Sequence, residues 1–204
     1  MLVNSLQKYL DKVFKILGAK DSFVDLEVVP DDRVYAYASG FNISNIVFGK
    51  ISVSKGLINK LSEEEIKFVL IHEAVHIYMN HIPIKIMGKS IRDFLLALGL
   101  KNPLILSSVV IADIINLFKY GVGLKPSEVE LTKEQELQAD IWGVLILGDP
   151  SIAINCLKKL VDNDLDKPSH LWEVLGVKLP VMTVRERIHE IQKRIKILKE
   201  EGIL

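Results

Sequence analysis

The stretch SEEEIKFVLIHEAVHIYMN, residues 62–80, decides the fold that this sequence predicts. Ser62 is followed three residues later by Glu65, a capping-box pattern that marks the start of a helix. Apolar residues flank the two histidines of the stretch, which suits a helix buried beside a dry cleft. We therefore predict one long helix that begins after Ser62 and runs until Pro83.

Two histidines on this helix, His72 and His76, form a candidate metal-binding pair. Residues four apart lie on one helical face about one turn apart, so both imidazoles can reach a single ion. Glu73 is displaced by about 100° around the helix, which lets its carboxylate lie beside the metal without being a ligand. The alternative interpretation is a pair of core histidines that are satisfied by hydrogen bonds. The capped, apolar helix favours the metal site.

The rest of the chain predicts a small sheet set among helices. Apolar residues recur at helical spacing over residues 2–17, which predicts an amphipathic helix. Strand patterns rich in β-branched and aromatic residues cover residues 23–29, 34–39 and 45–54. Later helical patterns cover residues 133–147, 151–161 and 184–198. This order predicts an α+β chain that forms a single domain of residues 1–204.

The composition excludes several classes of function. The 204 residues contain 26 Lys and Arg against 26 Asp and Glu, so the basic footprint of a nucleic-acid-binding protein is missing. Cys156 is the single cysteine, which excludes an internal disulfide framework and a metal site built from several cysteines. The N-terminal stretch does not have the pattern of a secretory signal. These features predict a cytoplasmic protein with no nucleic-acid partner.

An apolar helical insertion separates the helix of the two histidines from the later helical patterns. It covers about residues 82–131, and its most apolar part, residues 94–118, is divided by the Lys-Asn-Pro sequence at 101–103. A spanning helix needs about 20 mostly apolar residues in a row, so two short buried helices are the favoured interpretation. Association of residues 84–118 with a membrane is the alternative.

Two histidines do not complete a catalytic zinc site, which usually has three protein ligands and a fourth position for water or substrate. Glu136 and Asp140 are four residues apart on a second predicted helix and therefore share one face. Glu136 can enter the coordination sphere, and Asp140 can accept a hydrogen bond from the second ring nitrogen of a ligand imidazole. A solvated carboxylate face is the alternative interpretation of this pair.

The three remaining histidines are further candidates for the third ligand. His81 is nine residues after His72 and about half a turn away from its face of the helix, so we expect it to point elsewhere. His170, within PSHLWEV, could lie at the cleft rim and donate to the oxyanion, although a surface-loop histidine is the simpler interpretation. His189 lies among charged residues on the final helix, which predicts a solvated side chain.

These motifs resemble those of one family. The string SKGLINKLSEEEIKFVLIHEAVHIYMNH at residues 54–81, followed by ELQAD at residues 136–140, is similar to the gluzincin metallopeptidases of the HtpX heat-shock protease and CAAX prenyl endopeptidase family. The strand YAYASG at residues 35–40 also resembles the strand that precedes the metal helix there. The resemblance covers roughly residues 25–81 and 130–148.

The resemblance implies a zincin-like fold in which His72, His76 and Glu136 hold one zinc ion per chain. It makes Glu73 the general base and Asp140 the partner behind a ligand histidine. In the same way, it implies that the strand near residues 47–53 is an edge strand that pairs with an extended substrate peptide.

One part of the chain departs from the family pattern. The family usually has a His-Pro stretch shortly before a Glu-Arg-Ile helix near the C-terminus. Residues 186–188 match that helix, and Arg187 is expected to be a buried organiser of the site. Val181 stands where the family has the histidine, so the role of that histidine in the transition state has no counterpart here.

The expected reaction is hydrolysis of peptide bonds in a peptide or an unfolded protein. Zinc lowers the pKa of its water to about 7 and polarises the scissile carbonyl, while Glu73 takes the proton and delivers it to the leaving amine. The alternatives are a catalytically silent or latent zinc-containing module that binds peptides, and a membrane-associated protease.

Overall fold

A computed structural model describes residues 2–81, 133–164 and 182–202 of the chain. Its helices and strands, in chain order, are α1 (Leu2–Leu17), β1 (Asp21–Val29), β2 (Ala36–Ile43), β3 (Ile46–Ser54), α2 (Lys55–Lys60), α3 (Glu63–Tyr78), α4 (Lys133–Leu147), α5 (Pro150–Leu160) and α6 (Val184–Glu200). The predicted α+β class, with a small N-terminal sheet and a mostly helical remainder, is confirmed. The predicted insertion at 82–131 lies outside the described residues, as do His170 and Val181.

The three strands form one sheet in the order β1-β3-β2. β1 runs parallel to β3, and β2 runs antiparallel to it through a tight turn at Ser44 and Asn45. Both turn residues have positive φ, 52° and 66°, as a two-residue hairpin requires. The expectation that residues 47–53 form an edge strand is therefore wrong, because β1 covers one side of β3 and β2 covers the other.

Two helices cover one face of this sheet. α1 contacts β1 and α3, while α3 contacts β2 and β3. The fully buried apolar residues shared by these elements include Leu10, Phe14, Ile51, Val53 and Leu70. Burial of each such side chain contributes roughly 1.5–3 kcal/mol, which makes α3 a rigid support at the centre of the fold.

α3 begins as predicted and ends earlier than predicted. The capping box of Ser62 and Glu65 is present, with Glu65 accepting from the Ser62 N–H at 2.7 Å. The helix ends at Tyr78 and not near Pro83, because Asn80 adopts a left-handed φ of 54° and reverses the chain. His81 is therefore not on the helix, which matters for the site described below.

α4 lies unusually close to α3. A Cβ atom built on Gly143 of α4 would lie 2.6 Å from the ring of Phe68 on α3, so this position has room only for glycine. The close approach brings the buried face of α4, with Glu136 and Asp140, against the buried histidines of α3. Within the described residues, no helix has both the length and the apolarity needed to cross a membrane.

Candidate metal centre

Three buried side chains from α3 and α4 converge on one point. The Nε2 atoms of His72 and His76 are 3.0 Å apart, and the Glu136 carboxylate oxygens lie 3.5 Å from the first and 3.4 Å from the second. A tetrahedral zinc ion with bonds of about 2.0–2.1 Å holds its ligand atoms about 3.3 Å apart. These separations are close to those in such a site, with the Glu136 distances measured to Oε2 for His72 and to Oε1 for His76.

The chemistry of these donors also fits a metal ion. Glu136 is 6% exposed, and neither of its carboxylate oxygens makes a hydrogen bond within the described part of the chain, although Nη1 of Arg187 lies 3.6 Å from its Oε2. Burying a carboxylate is costly, and a cation bound between it and the two imidazoles would give its oxygens direct contacts. Two histidines and one glutamate are a ligand set of catalytic zinc that leaves the fourth position for water or substrate.

His72 is oriented from behind by a buried ion pair. Its Nδ1 lies 3.0 Å from Oδ1 of Asp140, which is fully buried. Arg187 of α6 donates from Nε and Nη2 to the two oxygens of Asp140, at 2.9 and 2.6 Å. Because Asp140 accepts from Nδ1, the His72 Nε2 lone pair is left to face the metal position.

His76 is oriented by a different group, His81, although helical spacing alone predicts that His81 points elsewhere. The Nδ1 atoms of the two rings are 3.1 Å apart. If His76 binds a metal through Nε2, its Nδ1 carries the proton and donates a hydrogen bond to Nδ1 of His81. Burial lowers the pKa of His81 to about 4, which keeps it neutral and able to accept, and a side-chain hydrogen bond with Gln138 acts on the same ring. The early end of α3 is what brings His81 to this position.

The expected base, Glu73, lies beside the cluster in an apolar setting. It is fully buried, and its carboxylate oxygens have no side-chain hydrogen-bond partner among the described residues. Burial raises the pKa of Glu73 to about 7. The main chain of Ala38 on β2 faces the carboxyl group and acts to lower this pKa. A carboxyl group with a pKa near neutrality is suited to accept and return a proton.

The charged groups of the site are strongly coupled. Burial would raise the pKa of Glu136, but the two imidazoles hold it well below its usual range. Burial would lower the pKa of His72, but Asp140 and Glu136 raise it to about 10. A metal ion would therefore displace a proton from His72 as it binds.

The other sequence candidates are not part of the cluster. His189 is exposed on α6, as expected for a solvated side chain, and His170 lies outside the described residues. Cys156 is fully buried, its pKa is raised by burial, and its sulfur lies 3.8 Å from the carbonyl of Glu65. It behaves as a small core residue.

The chain is similar to known peptidases. The sequence profile described as Peptidase family M48 matches residues 3–200. A Protease HtpX homolog of Bacteroides fragilis (strain YCH46) is 43% identical over 56 residues, which are 28% of this chain and 16% of that protein. A Protease HtpX homolog of Desulfatibacillum aliphaticivorans is 25% identical over 149 residues, or 65% of this chain and 46% of that protein. The chain spans less than half the length of these curated relatives.

Proposed function

The chain belongs to peptidase family M48, and on that premise we propose that it is a zinc-dependent endopeptidase that cleaves peptides or unfolded proteins. The observation that carries the proposal is the buried cluster of His72, His76 and Glu136, beside which the buried Glu73 carboxyl has no side-chain hydrogen-bond partner among the described residues. A module that only binds peptides has no use for a base of raised pKa next to an open coordination position.

Each buried group has a task in the proposed mechanism. His72, His76 and Glu136 would hold the zinc ion, which when bound supplies a Lewis acid and a water of lowered pKa. Glu73 accepts a proton at its carboxylate and later donates it to the leaving amine, so no serine or cysteine nucleophile is required. The low polarity around Glu73 raises its pKa and favours this return of the proton.

The strand beside the base is β2, and we assign the substrate main chain to its edge. β2 has β3 on one side, and no strand among the described residues pairs with its other side. Ala38, in the middle of β2, faces Glu73. A peptide added to this edge would place one of its carbonyl groups near the metal position, with the main-chain hydrogen bonds of β-augmentation holding it.

The test compares digestion of an unfolded model protein by the native chain and by Glu73→Gln, each with and without zinc. We expect cleavage that needs zinc and falls by about 10²–10⁴-fold in the variant. Glu64→Gln, the same change at an exposed position of α3, is the matched control and should cleave like the native chain. Zinc content, measured by elemental analysis, should be one ion per chain in all three proteins.

Two results would contradict the proposal. Equal cleavage by the native chain and Glu73→Gln would show that Glu73 is not the base. No cleavage by a native chain that still binds one zinc would favour the non-catalytic peptide-binding module instead.

A further inference from the structure

At the end of β2, the side chain of Asn80 makes the two hydrogen bonds to Asn42 that a neighbouring strand would make. Asn80 Oδ1 accepts a hydrogen bond from the main-chain N–H of Asn42 at 2.7 Å, and Asn80 Nδ2 donates to the Asn42 carbonyl at 2.9 Å. The Asn42 side chain donates to the carbonyl of Tyr78 at 2.8 Å, which fixes the end of β2 to the end of α3. One amide therefore occupies both main-chain groups that Asn42 would offer to an added strand.

Alternate residues of β2 direct their main-chain groups away from the sheet. The carbonyl of Tyr35, just before β2, accepts from the Ser54 N–H at 3.0 Å and so faces β3. Along an antiparallel pair, the main-chain N–H and C=O groups of successive residues point alternately toward the partner strand and away from it. The main-chain groups of Ala36, Ala38 and Gly40 therefore point toward the outer edge of the sheet. Asn42 continues this series, in agreement with its two hydrogen bonds to Asn80.

We propose that Asn80 determines how far a substrate strand can pair on one side of the cleaved bond, because it closes the edge of β2 at Asn42. The inference rests on the proposed function and on the pairing of substrate with β2. Ala38 lies beside Glu73, and Gly40 is the last residue before Asn42 whose main-chain groups face the outer edge. Pairing then stops about three residues from the substrate residue opposite Ala38.

The backbone at Asn80 allows a clean variant. Its φ of 54° lies in the left-handed region, which glycine adopts as readily as asparagine. Asn80→Gly therefore keeps the end of α3 and removes only the amide that closes the edge. Asn163, with a φ of 65° after α5, is exposed, so Asn163→Gly makes the same change at another helix end and is the matched control.

The experiment uses two series of synthetic peptides, each extended one residue at a time on one side of a mapped cleavage bond. For the native chain, kcat/KM should stop rising in one series about three residues from the residue opposite Ala38. In Asn80→Gly, the ratio of kcat/KM for the longer to the shorter peptides of that series should rise at least about fivefold, the gain from one net main-chain hydrogen bond, because the variant frees two main-chain groups of Asn42. Asn163→Gly should give the native ratio.

Two readouts do not depend on turnover. Affinities of the same peptides for the Glu73→Gln protein, measured by fluorescence anisotropy, should show the same length limit, and adding Asn80→Gly should remove it. Amide exchange at Asn42 should be slow in the native chain and faster in Asn80→Gly.

The outcomes separate this inference from the proposed function. Zinc-dependent cleavage with identical length profiles for the native chain and Asn80→Gly would overturn the inference and leave the function. No cleavage, but a length limit in binding that Asn80→Gly removes, would overturn the function and leave the assignment of Asn80. Absence of both cleavage and binding would overturn both.

Discussion

Replacing Arg187 by glutamine removes the cation that balances a fully buried carboxylate. Arg187 and Asp140 are 1% and 0% exposed and are joined by two hydrogen bonds of 2.9 and 2.6 Å. Breaking a buried pair of this kind costs about 3–5 kcal/mol. His72 stays beside Asp140 and offsets part of its charge, so we expect the unfolding free energy of metal-free Arg187→Gln to fall by about 3 kcal/mol.

A double variant separates stability from metal binding. Asp140→Asn with Arg187→Gln replaces the ion pair with two neutral amides, and the amide oxygen introduced at position 140 can still accept from His72 Nδ1. We expect the unfolding free energy to recover to within about 1–2 kcal/mol of the native chain, because neither charge is left unbalanced. Zinc affinity should stay about 10–100-fold weaker, because an amide polarises the imidazole of His72 less than a carboxylate does.

The assay is urea unfolding of the metal-free proteins followed by tryptophan fluorescence, together with zinc titration against a competing chelator. A loss of about 3 kcal/mol shifts the unfolding midpoint by about 1–3 M urea. Arg194→Gln is the matched control, because Arg194 of α6 pairs with Glu134 of α4 and so joins the same two helices through an exposed ion pair. This variant should lose less than about 1 kcal/mol of unfolding free energy. A loss below about 1 kcal/mol in Arg187→Gln, or native zinc affinity in the double variant, would refute the reasoning.

Three further outcomes follow from the structure. His81→Ala should weaken zinc binding about 10-fold in a chelator competition, because His76 loses the acceptor that orients it, while His189→Ala should leave it unchanged. At a free zinc concentration of about 100 times the Kd, bound zinc should raise the unfolding free energy by about 2.7 kcal/mol, so removing the zinc should lower the Tm. Burial would raise the pKa of Glu65, but Lys159 and the Ser62 N–H lower this pKa below its value in the unfolded chain. The ionised Glu65 carboxylate therefore stabilises the fold above the unfolded pKa, and this stabilisation is lost as the pH falls through the folded pKa. Lys159→Met should flatten this acid limb in unfolding titrations.

Local signals predicted those parts of the fold that depend on neighbours in sequence. The capping boxes that begin α3 and α6 are present, because a Ser or Thr and a Glu three residues later satisfy each other's main-chain N–H groups wherever the helix packs. The approach of His72 to His76 likewise follows from helical spacing alone. The contact of Glu136 with these histidines depends on the packing of α4 on α3. The spacing of Glu136 and Asp140 left this contact open, and only the resemblance implied it.

The misplaced predictions concern contacts that tertiary structure decides. The strand order depends on the parallel pairing of β1 with β3, which places β2 at the edge although it lies between them in sequence. His81 was assigned by continuing α3 to Pro83. The left-handed backbone at Asn80 ends the helix at Tyr78, before His81, so the angle counted along the helix no longer applies. Asparagine tolerates this conformation, but the sequence does not show which asparagine adopts it.

The end of α3 connects the metal centre to the proposed substrate edge. The chain reversal after Tyr78 places His81 against the ring of His76 and, one residue earlier, places the Asn80 amide on the main chain of Asn42. The groups that orient a metal ligand and those that close the strand edge are therefore adjacent in sequence and fixed by a single turn. A change in the length of this turn would displace both, whereas Asn80→Gly alters the edge while leaving the backbone that positions His81. For this reason the two roles can be separated by side-chain substitution but not by insertion or deletion in the turn.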